Sequence, residues 1–155
     1  MKRAATPVRR LFATAAAVAL SLFAGAASAK NVSGAAAKAV SGADQSCAKY
    51  DYGFVTNNCS TAKGFIIALP YVSEGYKNVS FVGYGATSSN DVACKASGWN
   101  NTYTGFNTTS TVSLPAYGSP QTVSLGSVYV WNPGALYFYC TIQPGGKLYM
   151  VSWDE

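Results

Sequence analysis

Between Cys47 and the C-terminus, no window of eleven or more residues carries helical periodicity. Short runs of Val, Ile, Thr, Tyr and Phe alternate there with clusters of Gly, Asn, Ser and Pro. Side chains on an extended chain alternate between two faces, and branched or aromatic residues fit a half-buried pleated surface. The expected strands are Lys49–Val55, Gly64–Val72, Val79–Ala86, Val92–Ser97, Thr109–Leu114, Gln121–Leu125, Ser127–Trp131, Ala135–Ile142 and Lys147–Trp153. Eight or nine strands in a stretch of this length suit an all-β, antiparallel two-sheet sandwich, Ig-like or jelly-roll-like. A small closed β-barrel is the alternative. Gly64–Leu69 is apolar at every position after its glycine and reads as a central strand covered on both faces. Pro144-Gly145-Gly146 reads as the turn of a terminal hairpin.

The first 29 residues have a different character. Met1–Arg10 is basic, Leu11–Ala24 is uncharged and apolar, and Ala27-Ser28-Ala29 has the small-x-small pattern of a peptidase site. The expectation is a signal peptide cleaved after Ala29 and delivery to a secreted or periplasmic location, with no stable membrane insertion afterwards. A retained anchor would barely reach across a bilayer, and its last third is built of small residues. Residues 30–46 are rich in Ala, Ser and Gly and offer little to bury, which predicts a flexible arm. Residues 47–155 then form a single domain.

Export makes the four cysteines a disulfide set. Cys94 shares strand parity with Val92 and Ala96, and Cys140 with Leu136, Phe138 and Ile142, so both sulfurs point inward. Cys47 and Cys59 have polar neighbours. The expected pairs are therefore Cys47–Cys59 and Cys94–Cys140.

Charge and composition exclude several chemistries. The chain has no His, which removes imidazole as base or metal ligand. Lys2, Arg3, Arg9 and Arg10 belong to the leader, leaving seven Lys against six acids, a net charge of +1, and no Arg. No clustered cations are left for nucleic acid. Asp51, Glu74 and Asp91 each adjoin a turn signal and read as solvated acids rather than a glycosidase pair or a calcium loop. Ser60-Thr61-Ala62-Lys63 matches S-x-x-K, but in extended chain its Ser and Lys point to opposite faces, and the partner motifs are missing. The five N-x-S/T sequons follow from an Asn-, Ser- and Thr-rich composition. No cofactor or metal is expected.

Aromatic residues carry the positive signal. Gly98–Asn107 is a polar loop holding Trp99, Asn101, Tyr103 and Phe106, and Trp131 sits in a second such tip. Tyr and Trp join an apolar ring face to a hydrogen-bonding edge, as recognition surfaces require. These five residues are the candidate ligand-binding set, for a glycan or a protein surface. The competing and weightier reading has the loop rings folded back to cap the sandwich.

Cys47, Asn58-Cys59, Ile66–Pro70, Val92–Cys94, Tyr139–Ile142 with Pro144, and Leu148–Trp153 together resemble a loosely defined group of small exported bacterial proteins with two disulfides. The resemblance implies a β-sandwich and brings no catalytic or binding residue. The resulting expectation is a non-enzymatic exported domain serving surface interaction or a structural envelope role. A carbohydrate-binding module, an inhibitor of a partner enzyme and, more remotely, a carboxylate hydrolase are the alternatives.

Overall fold

The computed structural model describes residues 28–155 apart from Tyr71, so the expected leader lies outside the described residues except for Ser28 and Ala29. The strands are β1 (Ala29–Ser33), β2 (Lys38–Ala39), β3 (Ala48–Asp51), β4 (Phe54–Asn57), β5 (Lys63–Pro70), β6 (Gly75–Tyr84), β7 (Val92–Asn100), β8 (Phe106–Thr108), β9 (Val112–Ser113), β10 (Gln121–Val130), β11 (Gly134–Ile142) and β12 (Lys147–Asp154). They form two antiparallel sheets. One has the order β10-β6-β12-β4-β3, with β1 also on β12; the other has the order β2-β5-β11-β7-β8, with β9 also on β7. The molecule is a β-sandwich rather than a closed barrel.

Alternation builds the core. Leu136, Phe138, Cys140 and Ile142 of β11 are at most 1% exposed and pack with Val79 and Phe81 of β6 and Leu148 and Val151 of β12. Side chains between them in sequence point outward. Apolar burial of this kind is the main stabilising term, about 25 cal/mol per Å².

Both expected disulfides form. Cys47–Cys59 closes the foot of the β3–β4 hairpin, with Cα atoms 5.1 Å apart. Cys94–Cys140 joins β7 to β11 across one rung of a single sheet.

Several sequence expectations are corrected. Residues 30–46 are not a free arm. β1 pairs with β12 from Ala29↔Asp154 to Ser33↔Met150, and β2 pairs with β5. Ladder hydrogen bonds need no bulky side chains, so a polar, small-residue segment can be held by its backbone. Gly34 and Ala37 are buried between these contacts. The expected strand Lys49–Val55 is two strands, β3 and β4, turned at Tyr52-Gly53, where both φ values are positive (37° and 96°).

Gln121–Leu125 and Ser127–Trp131 are one strand, β10, interrupted by a bulge. Gly126 takes φ 86° there, open to glycine without strain. Of Thr109–Leu114, only Val112–Ser113 pairs as strand, and Thr109 instead donates structure through its buried hydroxyl, which accepts from the Ala96 N–H at 3.0 Å.

The terminal pair is not a hairpin. β11 and β12 lie in opposite sheets, so Pro144-Gly145-Gly146 is an arch across the sandwich. Asn57 fastens it: its buried amide donates to the Ile142 carbonyl at 2.7 Å and the Thr61 carbonyl at 2.9 Å, and its backbone exchanges hydrogen bonds with Gly145 and Gly146. β5 is covered on one face only: Phe65, Ile67 and Leu69 are buried, while Ile66 is half-buried and Ala68 exposed. That uncovered face matters for the site.

Candidate functional site

The outward face of the second sheet is an array of rungs set by strand register. One rung is Ile66, Tyr139 and Lys95; the next is Ala68, Tyr137 and Ser97; Ala135 and Trp99 then lead to Phe106 on β8. Along β7 the buried positions are Val92, Cys94, Ala96 and Gly98, which leaves Lys95, Ser97 and Trp99 facing out. Gly98 must be small: a Cβ there would lie 1.9 Å from the Tyr129 carbonyl oxygen, because β10 crosses over β7 at that point.

The loop from Asn100 to Gly105 brings one more ring to this face. Asn100 organises it through a single amide. Its Oδ1 accepts from the backbone N–H groups of Thr104 (3.0 Å) and Gly105 (3.2 Å), and its Nδ2 donates to the Thr104 hydroxyl (3.1 Å). Tyr103 occupies the tip with φ 56°, a left-handed conformation uncommon for a bulky residue and worth a functional question. In that position its hydroxyl lies 3.2 Å from the Tyr137 hydroxyl. This hydrogen bond, aided by partial burial, raises the Tyr137 pKa above that of an ordinary phenol.

Trp99 is the centre of the cluster. Its ring stacks on Phe106 at 4.9 Å with 25° between planes and tilts against Tyr103 at 5.8 Å. These rings do not cap the core: Tyr103 is 63% and Phe106 57% exposed. Two hollows flank Trp99 and Tyr103. The larger, about 380 Å³, runs over Tyr137, Tyr139, Ser97, Lys95 and Ile66; the smaller, about 220 Å³, is bounded by Asn100, Asn101 and Pro133–Ala135. The Lys95 ammonium lies 5.7 Å from the Tyr139 ring centroid. Together these make an open surface of ring faces edged with hydroxyls and amides, suited to binding.

Of the five candidate residues, the structure brings Trp99, Tyr103 and Phe106 together and sets Asn101 on the wall of the smaller hollow. Trp131 lines neither hollow, and its ring edge reaches the loop from behind at Gly105. It packs edge-on against Tyr129 at 5.0 Å, and Tyr129 against Tyr76 at 5.2 Å, forming a separate row beside β10. Sequence reasoning missed Tyr137, Tyr139 and Lys95. Their signal was available, since the parity that sends Phe138 and Cys140 inward sends both tyrosines outward.

The three acids considered for chemistry have structural partners. Asp51 pairs with Lys49 at 2.6 Å, Glu74 accepts from the Tyr129 hydroxyl at 2.8 Å, and Asp91 accepts from the Leu114 N–H at 3.2 Å. Among the described residues, no group of three or more Cys, Asp or Glu is placed to hold a metal ion, and no helix is long and apolar enough to cross a membrane.

No protein-family model matches the chain, and no curated protein matches it in sequence. Solved structures do match in fold. The C-terminal CBM6 of LamC, a marine laminarinase from Zobellia galactanivorans, superposes with a TM-score of 0.54 at 11% identity, covering 83% of this chain and 100% of that one. The GH26-CBM35 β-(1,4)-mannanase of Podospora anserina superposes with a TM-score of 0.51 at 13% identity, covering 82% of this chain but only 28% of that one. What the chain shares with these structures is the β-sandwich fold.

Proposed function

We propose that this protein is a non-catalytic carbohydrate-binding module of the exported space, which captures a glycan on the outer face of its second sheet. The observation that carries the reading is the platform of half-buried Trp99 and Tyr137 with exposed Tyr139 on the sheet and exposed Tyr103 on the adjoining loop, lining an open hollow instead of packing into the core. Ring faces stack on the C–H faces of sugars, and the tyrosine hydroxyls, Ser97 and Asn101 supply hydrogen bonds to sugar hydroxyls at the edges. Such rings lose little conformational entropy on contact, so they bind without a deep pocket. Likeness of fold to carbohydrate-binding modules is compatible with this reading but does not carry it. The two disulfides suit an oxidising compartment.

The test is a glycan array followed by titration calorimetry of the best ligand. Trp99→Ala and Tyr137→Ala should each weaken binding by tenfold or more while leaving the circular dichroism spectrum unchanged, since both side chains stand outside the core. A folded wild-type protein that captures no glycan would overturn the reading.

A further inference from the structure

The larger hollow contains one charged residue, Lys95, and its placement narrows the ligand. Four lysines are engaged: Lys30 with Glu155, Lys49 with Asp51 at 2.6 Å and Lys63 with Asp44 at 2.7 Å, while the buried Lys77 donates to the Ser73 hydroxyl. Of the other three described lysines, Lys38 and Lys147 stand away from the larger hollow and Lys95 lines it. Lys95 has no ion-pair partner among the described residues. Its ammonium stands 5.7 Å from the Tyr139 ring centroid instead, a cation–π contact that leaves ammonium protons available to a ligand in the cleft. A neutral sugar offers that ammonium only hydroxyl dipoles, whereas a carboxylate offers it a charge-assisted hydrogen bond.

Resting on the carbohydrate reading above, we infer that the cleft is selective for acidic glycans that carry a carboxylate, that is, uronate-containing chains. Trp99 and Lys95 face the same way on β7 four residues apart, about 13 Å along the strand. One sugar stacked on Trp99 therefore leaves the carboxylate that meets Lys95 to a neighbouring sugar of the same chain. The Tyr137–Ser97 rung lies between, with hydroxyls for the intervening contacts. The ligand is an oligomer rather than a monosaccharide. A single cation beside rings suits spaced carboxylates, whereas a dense polyanion such as nucleic acid calls for clustered positive charge.

Three ligands separate the possibilities: a soluble polyuronate, the same polymer after reduction of its carboxyl groups to primary alcohols, and a sulfated neutral glycan. Affinity electrophoresis and calorimetry on the intact folded protein should give about tenfold or tighter binding to the polyuronate than to its reduced form, the size expected of one charge-assisted hydrogen bond. That preference should decline with added salt. Lys95→Gln should erase both the preference and the salt dependence while retaining the weaker binding of the reduced polymer. Trp99→Ala should lose both polymers. Equal affinity of the wild type for the two polymers, or a Lys95→Gln protein that still prefers the polyuronate, would overturn the inference and leave the carbohydrate reading intact. Tighter binding of the sulfated glycan than of the polyuronate would also overturn the carboxylate assignment. Failure to bind any of them, or any glycan on the array, overturns the reading beneath it.

Discussion

Cys94 and Cys140 face each other across one rung of the β7–β11 ladder, with Cα atoms 4.1 Å apart and both side chains at most 1% exposed. The bridge therefore welds two neighbouring strands of one sheet, the two strands that carry Lys95, Ser97, Trp99, Tyr137 and Tyr139 on their other face. Scaffold and site share a backbone, so the covalent link behind the sheet fixes the spacing of the groups in front of it.

This link closes a span of 46 residues, against 12 for Cys47–Cys59. The chain-entropy estimate gives about 4 kcal/mol for the longer loop and about 3 for the shorter. Urea unfolding of a Cys94→Ala, Cys140→Ala double variant should register at least the larger loss, and a Cys47→Ala, Cys59→Ala variant the smaller. Equal midpoints for the two variants would contradict the larger contribution of the 94–140 bridge.

What could be read from the sequence divides along a physical line. Parity along one strand is local, so the inward sulfurs of Cys94 and Cys140 and the all-β class were legible. Which sheet a strand joins is decided by non-local pairing, and Pro144-Gly145-Gly146 looks the same whether it closes a hairpin or an arch. Asn57, 85 residues from the Ile142 carbonyl it binds, decides that question and has no sequence signature. β1 was invisible for a related reason: its order comes from backbone pairing with β12, not from its own side chains. In the site, Trp99 and Tyr103 stood out as rings in a polar loop. Tyr137 and Tyr139 carry no such mark, because in an alternating strand an outward tyrosine reads the same whether it lines a site or only faces water.

Asn100 is predicted to be a positioning residue. Its amide makes three of the hydrogen bonds that shape the loop presenting Tyr103. Asn100→Ala should speed amide exchange at Thr104 and Gly105 and release the Tyr103–Tyr137 contact. Stability should fall by only about 1–2 kcal/mol, since two of the three bonds are exposed and the third is only partly buried. Glycan affinity should fall about tenfold because a mobile ring must be ordered on binding. Unchanged exchange at both amides would remove the assignment.

Acid should loosen the first strand before the sandwich. The Glu155 carboxyl is held below its ordinary range chiefly by its hydrogen bond with the Lys30 ammonium, with further help from the charges of Lys30 and Lys77. A carboxyl whose pKa is lower in the folded state contributes stability above its unfolded pKa and loses it as pH falls through the folded value. Amide exchange along Lys30–Ser33 should thus accelerate below the ordinary carboxylate range, ahead of exchange in β6 or β11. Glu155→Gln should show the faster exchange already at neutral pH and flatten that acid limb. The group is exposed, so the effect will be local and will decrease with salt.

Trp131 provides the sharpest separation between ring content and ring placement. It lines neither hollow and instead ends the Tyr76–Tyr129–Trp131 row, where Tyr129 donates to Glu74. If exposed aromatic area alone drove capture, Trp131→Ala and Trp99→Ala would weaken binding alike. The geometry requires otherwise: Trp131→Ala should leave glycan affinity within about twofold while costing about 1–2 kcal/mol in stability, the range for losing a partly buried aromatic contact. Calorimetry and thermal melts on the two variants decide it, and a tenfold loss of affinity in Trp131→Ala would move the binding surface to the β10 side of the molecule.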